Sequence, residues 1–247
     1  MSKEYVMNKN LEIWEDIFQN NEWGKYPSLA VVRFVARNFY KVPNRKDIRI
    51  LELGCGTGAN LWYCAREGFS VIGLDGSKTA IHRMIDRFEK ENLSEFLMNT
   101  KVGDYFDTLN DIKDNSIDAV IDVESLCCNS FLDTKEIIKK SFDKLKVGGK
   151  FLSQTFDEGI DGLNINDKEV EIIGGGGAEK IEDKYFHAVF TRFGRMSEKC
   201  LVRYTTYADI FELYKMENNK IDYIHKEKYY FSKDRVRKEW IIELTKL

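Results

Sequence analysis

The stretch Ile50 to Leu61, ILELGCGTGANL, sets an acid and three glycines at the end of an apolar run. Gly54, Gly56 and Gly58 permit a tight turn and let a ligand approach the backbone closely. Glu52 stands within the apolar run, and a second acid, Asp75, ends the next apolar segment, SVIGLD. A glycine turn between strand and helix, followed by a strand ending in an acid, is the layout of a nucleotide-binding α/β half. Dinucleotide sites space the glycines G-x-G-x-x-G and seat a pyrophosphate on the helix N-terminus. Here the spacing is G-x-G-x-G. A buried Glu52 beside a pyrophosphate would oppose like charges and leave the acid unpartnered, at a cost on the order of several kcal/mol. A ligand with a cationic head suits this loop better.

S-adenosylmethionine has that character: an ammonium, a sulfonium and no phosphate. Glu52 is then expected to hold its amino-acid head group, directly or through water. The elements needed to position these residues are legible in the pattern. Leu11, Trp14 and Phe18 share one face of a first helix, and Val32, Val35 and Phe39 share a face of a second. NEWGKYPS forms the turn between them. A strand over 47–53 leads into the glycines, a helix ANLWYCAREG follows with Gly68 at its C-cap, and SVIGLD is the second strand. Ser77 N-caps a helix whose apolar face is Ile81, Met84, Ile85 and Phe88. Strands follow at 97–102 and at IDAVIDV. A helix carrying Ile138, Phe142 and Leu145 then stops at Gly148 and Gly149 before the strand KFLSQTF. The stretch 157–203 breaks this rhythm and reads as an insertion over one end of the sheet, with Gly174 to Gly177 as a flexible lid or a loop too mobile to pack. A helix over 206–216 and two closing strands, KIDYIHKEKYYF and KEWIIELTKL, form a hairpin-like pair at the sheet edge. The expectation is one α/β domain, a doubly wound, Rossmann-like, seven-stranded sheet, mostly parallel with one antiparallel edge strand and helices on both faces. Its parts are an N-terminal helical cap (1–46), a cofactor-binding core (47–156), a substrate-side insertion (157–203) and a closing segment (204–247).

LELGCGTG resembles the first motif of the class I S-adenosylmethionine-dependent methyltransferases, of the small-molecule type. VIGLDGS resembles their second motif, which implies that Asp75 holds the ribose hydroxyls with Gly76 and Ser77 on the adenosine side. KVGDYFD resembles the third, which implies that Asp104 meets the adenine amino group between Tyr105 and Phe106; Asp107 is a rival in the same stretch. IDAVIDVESLCCN resembles the fourth strand and its loop, and LKVGGKFLSQTF the fifth. The resemblance runs from about residue 48 to the C-terminus. It implies a cofactor site of Glu52, Gly54, Cys55, Gly56, Gly58, Asn60, Asp75, Gly76, Ser77, Asp104, Tyr105, Phe106 and Val123. Structural readings stand beside these: Glu52 as a solvated strand end, Asp75 as a helix-initiating acid, Asp104 as a turn residue.

Methyl transfer needs positioning and desolvation more than catalytic groups, and a base only where the acceptor keeps its proton at pH 7. Glu124, in the loop after the fourth strand, is a candidate for contact with cofactor or acceptor; a helix-start or backbone anchor is the alternative. Cys127 and Cys128 read as small apolar fillers. Trp23 and Tyr26, with Lys25, could close over a sulfonium through cation–π attraction, or cap the core. His187, Arg192 and Arg195 are candidate contacts to an acidic or sugar acceptor, and His187 is the second catalytic candidate.

The 247 residues carry a net charge of -3, with 43% hydrophobic and 32% charged residues. That allows a sizeable core and disfavours tracking of nucleic acid. DVESLCC lacks the prolines of nucleobase-amine methyltransferases and the Pro-Cys of ring-carbon ones, so DNA is not the expected substrate. Five cysteines without C-x-x-C spacing argue against disulfides and zinc; no metal is expected. No membrane span or secretory leader is read, and a cytoplasmic location is expected. NEWGKYPS and KEWIIELTK faintly resemble small-molecule enzymes of bacterial surface-sugar pathways, which implies a small-molecule acceptor, a sugar derivative among the candidates. The oligomeric state is not legible. The alternatives are a non-catalytic cofactor-binding protein, a protein or RNA methyltransferase, and an NAD-dependent oxidoreductase.

Overall fold

The computed structural model describes residues 3–157, 169–172, 176–182, 185–188, 200–230 and 236–247. Two helices, α1 (Lys3–Asn20) and α2 (Leu29–Phe39), precede the core. The core alternates β1 (Arg49–Leu53), α3 (Ala59–Arg66), β2 (Ser70–Asp75), α4 (Lys78–Lys90), β3 (Leu97–Val102), the single turn α5 (Tyr105–Thr108), β4 (Ile117–Val123), α6 (Phe131–Lys144) and β5 (Leu145–Phe156). Four short strands follow: β6 (Glu169–Ile172), β7 (Gly176–Glu182), β8 (Tyr185–Ala188) and β9 (Cys200–Arg203). Then come α7 (Tyr207–Tyr214), β10 (Asn219–Tyr230) and β11 (Val236–Lys246).

The main sheet has seven strands in the order β10-β11-β5-β4-β1-β2-β3. β1 to β5 are parallel, and β11 runs antiparallel to both β5 and β10. The expected hairpin therefore closes the edge, with its antiparallel member on the inside. The central strands are apolar on both faces because helices cover both. Ile50, Val71, Ala119, Ile121 and Leu152 meet α2, α3 and α4, whereas Leu51, Val120 and Phe151 meet α6 and α7. The predicted glycine turn before the fifth strand becomes an irregularity within β5: Gly148 has φ 78°, and the pairing jumps from Ile117–Leu145 to Ala119–Lys150.

The segment read as an insertion contributes a second sheet of four antiparallel strands, β6-β7-β8-β9. Gly176 and Gly177 pair with Ile172 and Glu171 as strand residues rather than forming a lid; Gly174 and Gly175 lie outside the described residues. β9 runs beside α1 and the turn at 126–128, and Thr205 continues from it to bridge Asp157. This places the second sheet at the carboxyl end of β4 and β5. Among the described residues, no helix is long and apolar enough to cross a membrane.

Phe151 is fully buried and stacks on Phe142 with centroids 5.4 Å apart. Phe151→Ala should lower unfolding free energy by about 3–5 kcal/mol through lost transfer energy and the cavity left behind, read from the urea midpoint at constant m-value.

Candidate functional site

The carboxyl ends of β1, β2 and β4 each present a buried acid: Glu52, Asp75 and Asp122. The glycine loop between β1 and α3 winds through left-handed backbone at Gly54, Gly56 and Gly58. Two of these positions exclude a side chain on space as well. A Cβ on Gly54 would lie 1.9 Å from Ser125 Oγ, and one on Gly58 would lie 2.3 Å from Met84 Cγ. Cys55 is buried beneath the loop, and its N–H donates to Leu74 O at 3.0 Å. This ties the loop to β2.

Glu52 is 1% exposed. Its Oε1 accepts from Asn60 Nδ2 at 2.6 Å, while Oε2 has no hydrogen-bond partner. Burial pushes its carboxyl up to about 8, against the Asn60 bond and with help from the charges of Asp75 and Asp122. A carboxyl in this state gains most from a cationic donor placed against Oε2.

Asp75 differs, because backbone donors already hold both of its oxygens. Gly56 N–H donates to Oδ2 at 2.7 Å and Ser77 N–H to Oδ1 at 2.8 Å. Burial still raises it to about 6. Ser77 N-caps α4 through Ala80 N. Helix α1 lies across this turn: Glu15 accepts from Ser77 Oγ at 2.5 Å and from Thr79 Oγ1 at 2.6 Å, and a Cβ on Gly76 would meet Leu11 Cδ2 at 2.3 Å. Phe18 and Trp23 lie over Gly56, with their rings 5.2 Å apart.

On the other side of the loop, Asp104 N-caps α5 by accepting from Phe106 N–H at 2.7 Å. Tyr105 and Phe106 are half-buried, and the Tyr105 hydroxyl bonds to Ser125 Oγ. Burial, with the charge of Asp75, holds the phenol well above its ordinary range, so it keeps its proton. Asp122 organises the loop after β4, accepting from Ser125 N–H (3.1 Å), Leu126 N–H (2.9 Å) and Ser153 Oγ (2.6 Å). Val123 ends β4, and Glu124 follows in left-handed backbone, φ 56°. A non-glycine residue held there signals a conformation imposed by its surroundings. Cys127 is buried and Cys128 half-buried, both as free thiols.

What imposes that conformation was not evident from the sequence. Arg237 of β11 bonds to both Glu124 and Glu239. Gln154 of β5 donates to Glu239 Oε2 and reaches Glu124 Oε1 at 3.5 Å. Its Oε1 accepts from Ser28 Oγ at 2.5 Å, and Ser28 N–H donates to Asn60 Oδ1 at 2.9 Å. A single polar chain therefore crosses the sheet from Glu52 to Glu124. Burial, reinforced by Glu124, raises Glu239 to about 7. The available sequence signals were weak: a glutamine and a glutamate in strands that carry other polar residues.

The structure thus gathers Glu52, Gly54, Cys55, Gly56, Gly58, Asn60, Asp75, Gly76, Ser77, Asp104, Tyr105, Phe106, Val123, Glu124 and Trp23 around one end of the sheet. It does not bring Tyr26 there. That ring is 80% exposed and packs against Trp62, 6.5 Å away, on the outside of α3. His187 sits in β8 opposite Glu179 and Leu201, with its side chain outside the described ones; Arg192 and Arg195 lie outside the described residues.

A parallel sheet with a glycine cradle at its switch point defines a Rossmann-like ligand-binding protein. A family model described as a methyltransferase domain matches residues 44–201, and the chain belongs to that family. Solved structures share the fold. An S-adenosylmethionine-dependent methyltransferase from Methanosarcina mazei is 20% identical, covering 82% of this chain and 93% of that one, with a TM-score of 0.63. One from Clostridium acetobutylicum is 18% identical over 97% and 98%, TM-score 0.63. The CcbJ methyltransferase from Streptomyces caelestis is 15% identical over 94% and 95%, TM-score 0.62. No curated protein matches the sequence.

The raised Glu52 makes a stability prediction. Its carboxyl titrates near 4.5 when unfolded and about 8 when folded. Between these values the folded state binds more protons, so stability falls as pH rises. Glu52→Gln removes this penalty. The variant should match the parent near pH 4.5 and exceed it by roughly 2–5 kcal/mol near pH 8, in urea titrations at both pH values. A difference independent of pH would refute the assignment.

Proposed function

We propose that the protein is an S-adenosylmethionine-dependent methyltransferase that methylates an O or N atom of a small metabolite, with sugar derivatives the first class to screen. The observation that carries this reading is the unpartnered Oε2 of buried Glu52 beside the glycine cradle. A dinucleotide would bring a pyrophosphate toward three buried acids. S-adenosylmethionine brings an ammonium.

In this reading Glu52, oriented by Asn60, accepts from the ammonium. The backbone of Gly54, Cys55, Gly56 and Gly58 forms the floor. Asp75, with Gly76 and Ser77, takes the ribose hydroxyls on the lone pairs that its backbone donors leave open. Asp104, Tyr105 and Phe106 border the adenine, Val123 flanks the methionine portion and Trp23 covers the loop. Once bound, the cofactor supplies an electrophilic methyl group on sulfur.

The chain supplies position, exclusion of water and a place for a proton. Arg237 and Gln154 hold Oε1 of Glu124, whose side chain is partly exposed, and this reading assigns its Oε2 to an acceptor N–H or O–H. Glu124 can then take the proton as the acceptor reacts. Because Arg237 is already shared between two carboxylates, this corner favours a neutral or cationic acceptor over an anionic one. His187 is a second candidate contact from β8. A cytoplasmic location belongs to the same reading.

Titration calorimetry should show binding of S-adenosylmethionine and S-adenosylhomocysteine and none of NAD; binding of NAD alone would overturn the reading. Asp75→Ala should cost about 1–3 kcal/mol of cofactor affinity, the range for losing a charged hydrogen-bond acceptor. Glu52→Gln should weaken S-adenosylmethionine more than methylthioadenosine, which lacks the amino group. Equal losses would remove Glu52 from the head-group site.

A further inference from the structure

We propose that Ser28 and Gln154 are positioning residues that join the cofactor head-group seat at Glu52 to the acceptor-side acids Glu124 and Glu239, so that a change at one seat is felt at the other. The inference rests on the cofactor reading above and extends it to residues with no place in the glycine motifs.

The direction of each hydrogen bond carries the argument. A backbone N–H can only donate, so Ser28 N–H fixes Asn60 with its carbonyl oxygen toward α2 and its amino group toward Glu52. The Glu239 carboxylate can only accept when ionised, so it fixes Gln154 with its amino group toward β11 and its carbonyl oxygen toward Ser28. Ser28 therefore donates in both directions, through its backbone and through its hydroxyl. Each amide then turns an NH2 group to a carboxylate. Reversing either amide would set an oxygen against a carboxylate oxygen, so each amide is held in one orientation.

The same serine N-caps α2, accepting from Ala30 N–H. It also ends the turn that carries Trp23 over Gly56. Gln154 is 5% exposed and Glu239 is 1% exposed, so water does not readily stand in for a missing member of the chain. Gln154 has a further link, because Glu124 N–H donates to its backbone oxygen at 2.8 Å. That bond helps hold Glu124 in its left-handed backbone.

The test is titration calorimetry of the full chain with S-adenosylmethionine and with methylthioadenosine, which lacks the group that Glu52 would meet. The variants are Ser28→Ala, Gln154→Leu, Glu239→Gln and the Gln154→Leu/Glu239→Gln double. Ser28→Ala and Gln154→Leu should each weaken S-adenosylmethionine roughly three- to tenfold and leave methylthioadenosine within about twofold. Glu239→Gln should weaken S-adenosylmethionine in the parent but add nothing in the Gln154→Leu background, which marks coupling through Gln154. Equal losses for the two ligands, or additive effects in the double variant, would overturn the proposal. If Ser28→Ala fails to fold, Gln154→Leu and the cycle with Glu239→Gln decide alone. A parent protein that binds neither ligand would instead refute the cofactor reading.

Discussion

A carboxylate kept out of water at the end of β1 constrains everything placed near it. Desolvation favours its neutral form, and the acids at the ends of β2 and β4 push the same way. Asp75 and Asp122 are each satisfied by two backbone N–H groups from adjacent turns. The chain at those turns is thereby obliged to follow the acids, which is why the glycine loop and the loop after β4 have defined shapes. Of these three acids, only Glu52 keeps an oxygen with no donor. Glu52 Oε2 is therefore a vacant point of attachment at this end of the sheet, suited to a cationic donor.

Helix α1 and the aromatic turn after it belong to the same electrostatic arrangement. Glu15 lies at the N-terminus of α4, where unpaired N–H groups and the helix dipole favour an anion. The donors Ser77 and Thr79 outweigh the cost of burial and bring its carboxyl down to about 2. This contact lays α1 over Gly76 and brings Phe18 and Trp23 over Gly56. Each acid near the site is thus matched to a particular set of N–H or O–H groups. The fold supplies those groups from helix starts and tight turns, where backbone donors are left over.

The core of this fold was legible because its signals are local. Three glycines in five residues, an acid at the end of the next strand, and the N-cap at Ser77 each depend on neighbours in the chain. The chain from Ser28 to Gln154 to Glu239 was not legible, because its members are separated by 126 and then 85 positions, and an isolated glutamine in a strand carries no partner's address. Tyr26 shows the opposite error: sequence proximity to Trp23 suggested a shared role, yet Trp23 lies over Gly56 whereas Tyr26 packs, exposed, against Trp62. The 157–203 stretch read as irregular because its strands are short and rich in glycine and charge, a composition that pairs in a sheet only with tertiary support.

Glu124 carries a cost that the rest of the loop conceals. A non-glycine residue at φ 56° is strained by an amount on the order of 1 kcal/mol, and a glycine in its place would adopt the same backbone freely. Against that freedom stands the ion pair with Arg237, which a glycine would leave to Glu239 alone. Keeping an acid at such a position is a form of frustration, in which a side-chain bond to a neighbouring strand opposes the backbone's own preference.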